Sequence, residues 1–119
     1  MTSKHPAQGT RDAQDVIAVS MTEDELLANV KDAASKFGWL FYHTRDSRRS
    51  DVGFPDCQML RVERHRTRLV IAELKRERGQ ETDAQRTWLA AFNSVGGDVE
   101  VYTWRPSTWL SGAIEAVLR

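Results

Sequence analysis

The 119-residue sequence holds one cysteine and three prolines, and it has no apolar run long enough to cross a membrane. A single thiol, Cys57, excludes an internal disulfide and any zinc site built from cysteines. Set in an apolar stretch, that thiol suits a packing role in a reducing compartment. A membrane span needs roughly 18 or more apolar residues in a row, and the amino terminus carries no hydrophobic secretory segment, so the expected location is the cytoplasm. Excess charge of one sign is missing too: 17 Lys and Arg face 17 Asp and Glu. With 40% hydrophobic residues, a chain of this length can remove roughly two-thirds of its unfolded surface from water, enough for one small domain with its own core.

The charge is balanced in sum but not along the chain. From Arg45 through Arg78 there are ten basic side chains against six acidic ones, so more than half of the 17 cations lie in under a third of the sequence. A local excess of this kind is the footprint of a polyanionic partner rather than of a fold.

Residues 1–20 are small or polar without sustained period and read as a flexible leader before a domain at 21–119. Thr22 and Glu25 have capping-box spacing, and Leu26, Leu27, Val30, Ala33, Ala34 and Phe37 recur at helical intervals until Gly38, which predicts a helix over 22–37. Trp39–His43 reads as a strand running into a basic loop with Arg45, Arg48 and Arg49. Asp56–Val62 and Arg68–Lys75 read as a hairpin about the charged connection Glu63–Thr67. Thr82 and Gln85 repeat the capping-box spacing, and Trp88, Leu89, Phe92 and Val95 mark a second helix over 82–95, ended by Gly96-Gly97. Val99–Trp104 is a fourth strand, and Pro106–Leu118 a terminal helix. The order αβββαβα implies an α/β fold with a mixed four-stranded sheet. Three strands are antiparallel, and the fourth, reached by a helical crossover, is parallel to the third.

Glu25, Asp56, Glu73 and Lys75 stand where this layout favours apolar or loop residues. If the hairpin is symmetric about a centre between Arg64 and His65, Asp56 faces Glu73, and facing Cβ atoms lie about 4.5 to 5.5 Å apart. Two carboxylates that close repel unless a cation joins them, and magnesium takes oxygen ligands of this kind. Lys75, two residues beyond Glu73, projects from the same face of the strand. Such a set meets the needs of phosphodiester hydrolysis: a Lewis acid, an activated water, and a positive charge for the transition state.

Gly53-Phe54-Pro55-Asp56, then Ala72-Glu73-Leu74-Lys75, then Gln85 at a helix start, together resemble the VRR-NUC branch of the PD-(D/E)XK nuclease superfamily. Tyr42–Arg49 and Tyr102–Pro106 resemble the same branch, and the likeness runs from about Met21 to Arg119. It implies a restriction-endonuclease-like αβββαβ core with a C-terminal helix. It also implies a Mg2+- or Mn2+-dependent nuclease, an endonuclease in preference to an exonuclease, acting on DNA and on structured or branched DNA of the junction or flap kind. Small stand-alone members of the branch occur in bacteriophages, which would place this protein in the host cytoplasm, and the branch implies a homodimer with no small-molecule cofactor. Carried over by residue, Asp56 and Glu73 are the metal-binding carboxylates, the Leu74 carbonyl is a further ligand, and Lys75 is the catalytic lysine. Gln85 is the glutamine near the site, and Glu25 is the first-helix acid and a metal ligand, with Glu23 close enough to hold that role instead. Arg45, Arg48, Arg49, Arg64, Arg66 and Arg76 are the candidate DNA contacts.

Plainer readings compete for several of these residues. Glu25 and Gln85 can serve as capping-box partners alone, and Arg61, Arg64, Arg66 and Arg68 can form a charged hairpin tip that discourages edge pairing. Glu73 resists such a reading, because it lies in the apolar run Leu69–Leu74, where an unpaired carboxylate costs several kcal/mol. The competing function is a DNA-binding or assembly module that keeps the fold without the catalysis.

Overall fold

The computed structural model describes residues 13–44 and 51–119. Arg45, Arg48 and Arg49 lie outside the described residues, as does the leader through residue 12. Residues 13–20, which composition places in that leader, are helical (α1). Ala18 is buried, and Val19 O accepts a hydrogen bond from Arg76. The remaining elements are α2 (Glu23–Lys36), β1 (Leu40–His43), β2 (Cys57–Val62), β3 (Thr67–Leu74), α3 (Asp83–Asn93), β4 (Val99–Trp104), α4 (Pro106–Leu110) and α5 (Ala113–Leu118).

The sheet order is β1-β2-β3-β4, with the first three strands antiparallel and β4 parallel to β3. Cys57 pairs with Ala72 and Val62 with Thr67. The hairpin is therefore centred between Arg64 and His65, as the sequence predicts, and extending the register by one step sets Asp56 against Glu73. Alternation then sorts the side chains. Cys57, Met59, Val70, Ala72, Leu74 and Trp104 face α2 and α5, where Leu26, Val30, Ala34, Ile114 and Leu118 complete the core. Ile71 and Glu73 point to the opposite side, where α3 packs on β3 and β4.

Two features differ from the periodicity. The terminal helix is broken at Gly112, which adopts φ +84 and separates α4 from α5, so the second segment can turn Ile114 and Leu118 into the core. The hairpin arginines are also more engaged than a free basic tip. Arg68 makes a two-pronged ion pair with Glu100, and Arg61 donates to Glu63 and to the carbonyls of Phe37 and Leu118. Both guanidinium groups lie over the Trp39 ring, whose own N–H donates to Leu118 O. These two cations hold the carboxy-terminal helix to the sheet.

Candidate active site

The Gly53-Phe54-Pro55-Asp56 segment is aimed by α3. A Cβ at Gly53 would lie 2.5 Å from the Ala84 carbonyl carbon, and its φ of +84 belongs to the left-handed region, so only glycine allows the loop to touch the helix start. Phe54 then packs edge-on against Trp88 at 5.0 Å and near Phe92 at 6.0 Å, while Trp88 Nε1 donates to Val52 O. Pro55 is buried, and its carbonyl accepts from Gln58 and Thr44. With the segment held on both sides, Asp56 Oδ2 accepts from the backbone N–H of Leu74 at 2.8 Å.

Glu73 meets that carboxylate from the neighbouring strand. It is 1% exposed, and its Oε2 is buried with no hydrogen-bond partner. Burial first, and then the Asp56 carboxyl beside it, push the Glu73 carboxyl far above the ordinary carboxylate range, against the opposing pull of the Lys75 charge and the Leu74 amide. Lys75 is half-buried one residue beyond β3, its N–H bonded to Trp104 O. Cys57, next to Asp56, turns its side chain to the other face of the sheet, into the core. Burial and the two carboxylates raise its thiol so strongly that it stays protonated, which makes it a packing residue and not a nucleophile.

Asp56 borders a cleft of about 160 Å³ lined also by Glu23, Asp24 and Leu27 of α2, His43 and Thr44 at the end of β1, and Leu74; Glu73 and Lys75 lie beside it and are not among its lining residues. Glu25 is not on this wall. Its carboxylate accepts from the Thr22 N–H and hydroxyl, bonds that hold it below its ordinary range, and it completes a capping box. The phase of α2 instead turns Glu23 and Asp24 to the cleft. Gln85 likewise closes a capping box with Thr82 and is not among the cleft-lining residues. Arg64 and Arg66 occupy the hairpin tip, and Arg66, the nearer in sequence, is seven residues from Glu73 and so about 23 Å along the strand. Arg66 is paired there with Glu63 and Asp98. Neither borders the cleft. Arg76 does lie at this end of the sheet, exposed beside Lys75 and near Glu25. Asp24 is an addition of the fold, its sequence signal being adjacency to Glu23 and Glu25, whereas His43 and Thr44 belong to the Tyr42–Arg49 segment that resembles the family.

The donor set suits a hard divalent cation. Two carboxylates forced together, one with a buried oxygen lacking any partner, are unfavourable alone and are relieved by a cation between them. Among the described residues no three His, Cys, Asp or Glu side chains gather as a complete ligand group. A cation held here would draw on the Asp56–Glu73 pair and leave most of its other positions to water and substrate, as magnesium commonly requires.

The VRR-NUC domain family model matches residues 5–106. No curated protein and no solved structure matched the chain. With the family's model spanning most of the sequence and a mixed sheet carrying the paired acids and lysine at its strand ends, the chain belongs to the VRR-NUC domain family of the PD-(D/E)XK nuclease superfamily, a nuclease-type, DNA-processing group.

Proposed function

We propose that this protein is a Mg2+- or Mn2+-dependent endonuclease that hydrolyses phosphodiester bonds in DNA, with structured or branched DNA as its substrate class. The carrying observation is Glu73: a buried carboxylate with an unpartnered oxygen, set against Asp56 and followed by Lys75. A packing or binding module gains nothing from that placement, whereas a cation site requires it. Asp56, Glu73 and the Leu74 carbonyl would hold the metal, with Glu23, in place of Glu25, as the first-helix acid at the cleft wall. Bound there, a divalent cation supplies Lewis-acid polarisation of the phosphate and lowers the pKa of water.

The chain's own groups do the rest. The Leu74 N–H fixes one oxygen of Asp56 and so leaves the other free to point into the cleft. Lys75 places a positive charge beside the acids, where it orients the attacking water and offsets negative charge growing on the phosphate oxygens. Arg76 supplies backbone phosphate contacts, as do Arg45, Arg48 and Arg49, which fall between β1 and β2 in sequence, and such contacts position the duplex without reading sequence.

We assign the catalytic domain to 21–119, a cytoplasmic setting consistent with the buried, protonated Cys57, and a homodimer. Supporting the homodimer, Leu40, Tyr42, Leu60 and Val62 lie on one side of β1 and β2, exposed and with no charged side chain among them. Among the described residues no helix is long and apolar enough to cross a membrane. Incubation of end-labelled DNA with Mg2+, Mn2+ or EDTA tests the activity: cleavage that needs the cation supports it. Salt-sensitive binding without cleavage would favour the non-catalytic module.

A further inference from the structure

We infer that Arg105 is a positioning residue for Lys75, acting through the turn that follows β3. This rests on the catalytic reading of Lys75 and extends it to a residue that touches neither metal site nor cleft. The last parallel rung joins Leu74 to Trp104, and the Lys75 N–H donates to Trp104 O at 3.0 Å. Beyond that rung the sheet ends, and residues 76–79 turn back with Gly79 N–H bonded to Arg76 O. Their carbonyls have no strand partner to satisfy them.

Arg105, the residue after β4, takes up that role. Its Nη1 donates to the carbonyls of Gly79 at 2.7 Å, Arg76 at 2.8 Å and Glu77 at 3.3 Å. A second tie runs the other way, from the Ser107 N–H to Glu77 Oε1 at 3.0 Å. The Lys75 stem runs beside this turn: the position a Cβ would take on Gly79 lies 3.7 Å from Lys75 Cδ, and the glycine leaves that space open. By fixing the carbonyls of Arg76 and Gly79, the guanidinium fixes the backbone from which, and beside which, the Lys75 stem extends. Electrostatics alone would not choose a cation here, since Lys75, Arg76 and Arg78 already crowd the segment with positive charge. The hydrogen bonds from a charged donor to carbonyls outweigh that repulsion. The extra charge also raises the positive potential that a phosphate meets.

The test compares wild type with Arg105→Gln and Arg105→Lys. Acylation of lysines, followed by mass spectrometry on the metal-free and DNA-free protein, is expected to show Lys75 reacting several-fold faster in Arg105→Gln, with Lys31 and Lys36 unchanged as internal references. In cleavage of labelled duplex, kcat is expected to fall about tenfold with KM within twofold, and Arg105→Lys to recover part of the loss. Stabilisation by Mg2+ in thermal unfolding should persist, because Asp56 and Glu73 are untouched. Unchanged Lys75 reactivity, or an unchanged kcat in an active preparation, overturns the inference. If Arg105→Gln does not fold, Arg105→Lys alone decides, with a smaller shift of the same sign. Absence of cleavage by the wild type would instead remove the nuclease reading, and the labelling result would still decide whether Arg105 holds Lys75.

Discussion

Among the described residues, Glu73 Oε2 is the buried side-chain oxygen left without a partner, and its surroundings make the metal-free protein pH-sensitive in a definite direction. The folded state retains the Glu73 proton at pH values where the unfolded chain, with the ordinary value of 4.5, has released it. Folding then takes up a proton at this site, so the contribution of Glu73 to stability is greatest at acidic pH and falls as pH rises past 4.5 towards the raised value, by at most about 1.4 kcal/mol per pH unit. Glu73→Gln removes the titrating group and can donate to Asp56. In denaturant melts at pH 8 without metal it is expected to be more stable than wild type by about 1–3 kcal/mol, while losing both cleavage and stabilisation by Mg2+. A variant less stable than wild type under those conditions would contradict the site as described. Asp56→Asn is expected to fold and to lose cleavage, since its amide can still accept from Leu74 N–H but contributes no charge to a cation.

Elements carry these residues to one place, and their contacts set two further outcomes. Gly53→Ala would drive a Cβ into the Ala84 backbone at a left-handed φ, so unfolding experiments should show a loss of about 1–3 kcal/mol. Activity at a temperature where the variant remains folded should also fall, because Asp56 loses its aim. In α2, Glu25→Ala and Glu23→Ala should separate cap from cleft. The first removes a capping-box partner and is expected to lower the melting temperature slightly with cleavage retained. The second should leave stability nearly unchanged and reduce cleavage at least tenfold. The reverse pattern would return Glu25 to the site.

The strand pattern was legible because the side-chain period of a strand is two and the hairpin is symmetric: once its centre was set, the Asp56–Glu73 pairing followed without knowledge of any helix. Helix phase was not legible in the same way. Thr22-x-x-Glu25 supports a capping box whether or not Glu25 also serves the cleft, and only the packing of Leu26 and Val30 on the sheet turns Glu23 and Asp24 to it. The Gly112 break between α4 and α5 was hidden by a continuous apolar pattern. Arg64 and Arg66 looked close to the site because the chain doubles back there, whereas the hairpin carries them to the far end of the sheet. Arg105 lies in the Tyr102–Pro106 segment of the resemblance, but its contacts were not legible, since its three carbonyl partners come together only when β4 lies beside β3.

At the scale of the whole molecule, net charge is zero while the cleft end gathers Lys75, Arg76, Arg78 and Arg105. Affinity for DNA should therefore fall steeply with salt, through the few phosphates contacted at this end rather than through overall attraction. The side of β1 and β2 that continues the Asp56–Glu73 face exposes Leu40 and Val62 at 71% and 78%, the surface we propose for a second copy. Sedimentation is expected to give twice the chain mass of 13.6 kDa, and Leu60→Lys to return the monomer with its fold intact; a wild-type monomer at micromolar concentration would remove the dimer. The most direct measurement of the central claim is cleavage of an end-labelled panel of duplex, single strand, flap and four-way junction, with Mg2+, Mn2+ or EDTA, using Lys75→Ala as the control. Cation-dependent cuts that vanish in Lys75→Ala are the predicted result. DNA left intact by folded wild type with either cation, or cut equally well by the Lys75→Ala variant, would contradict it.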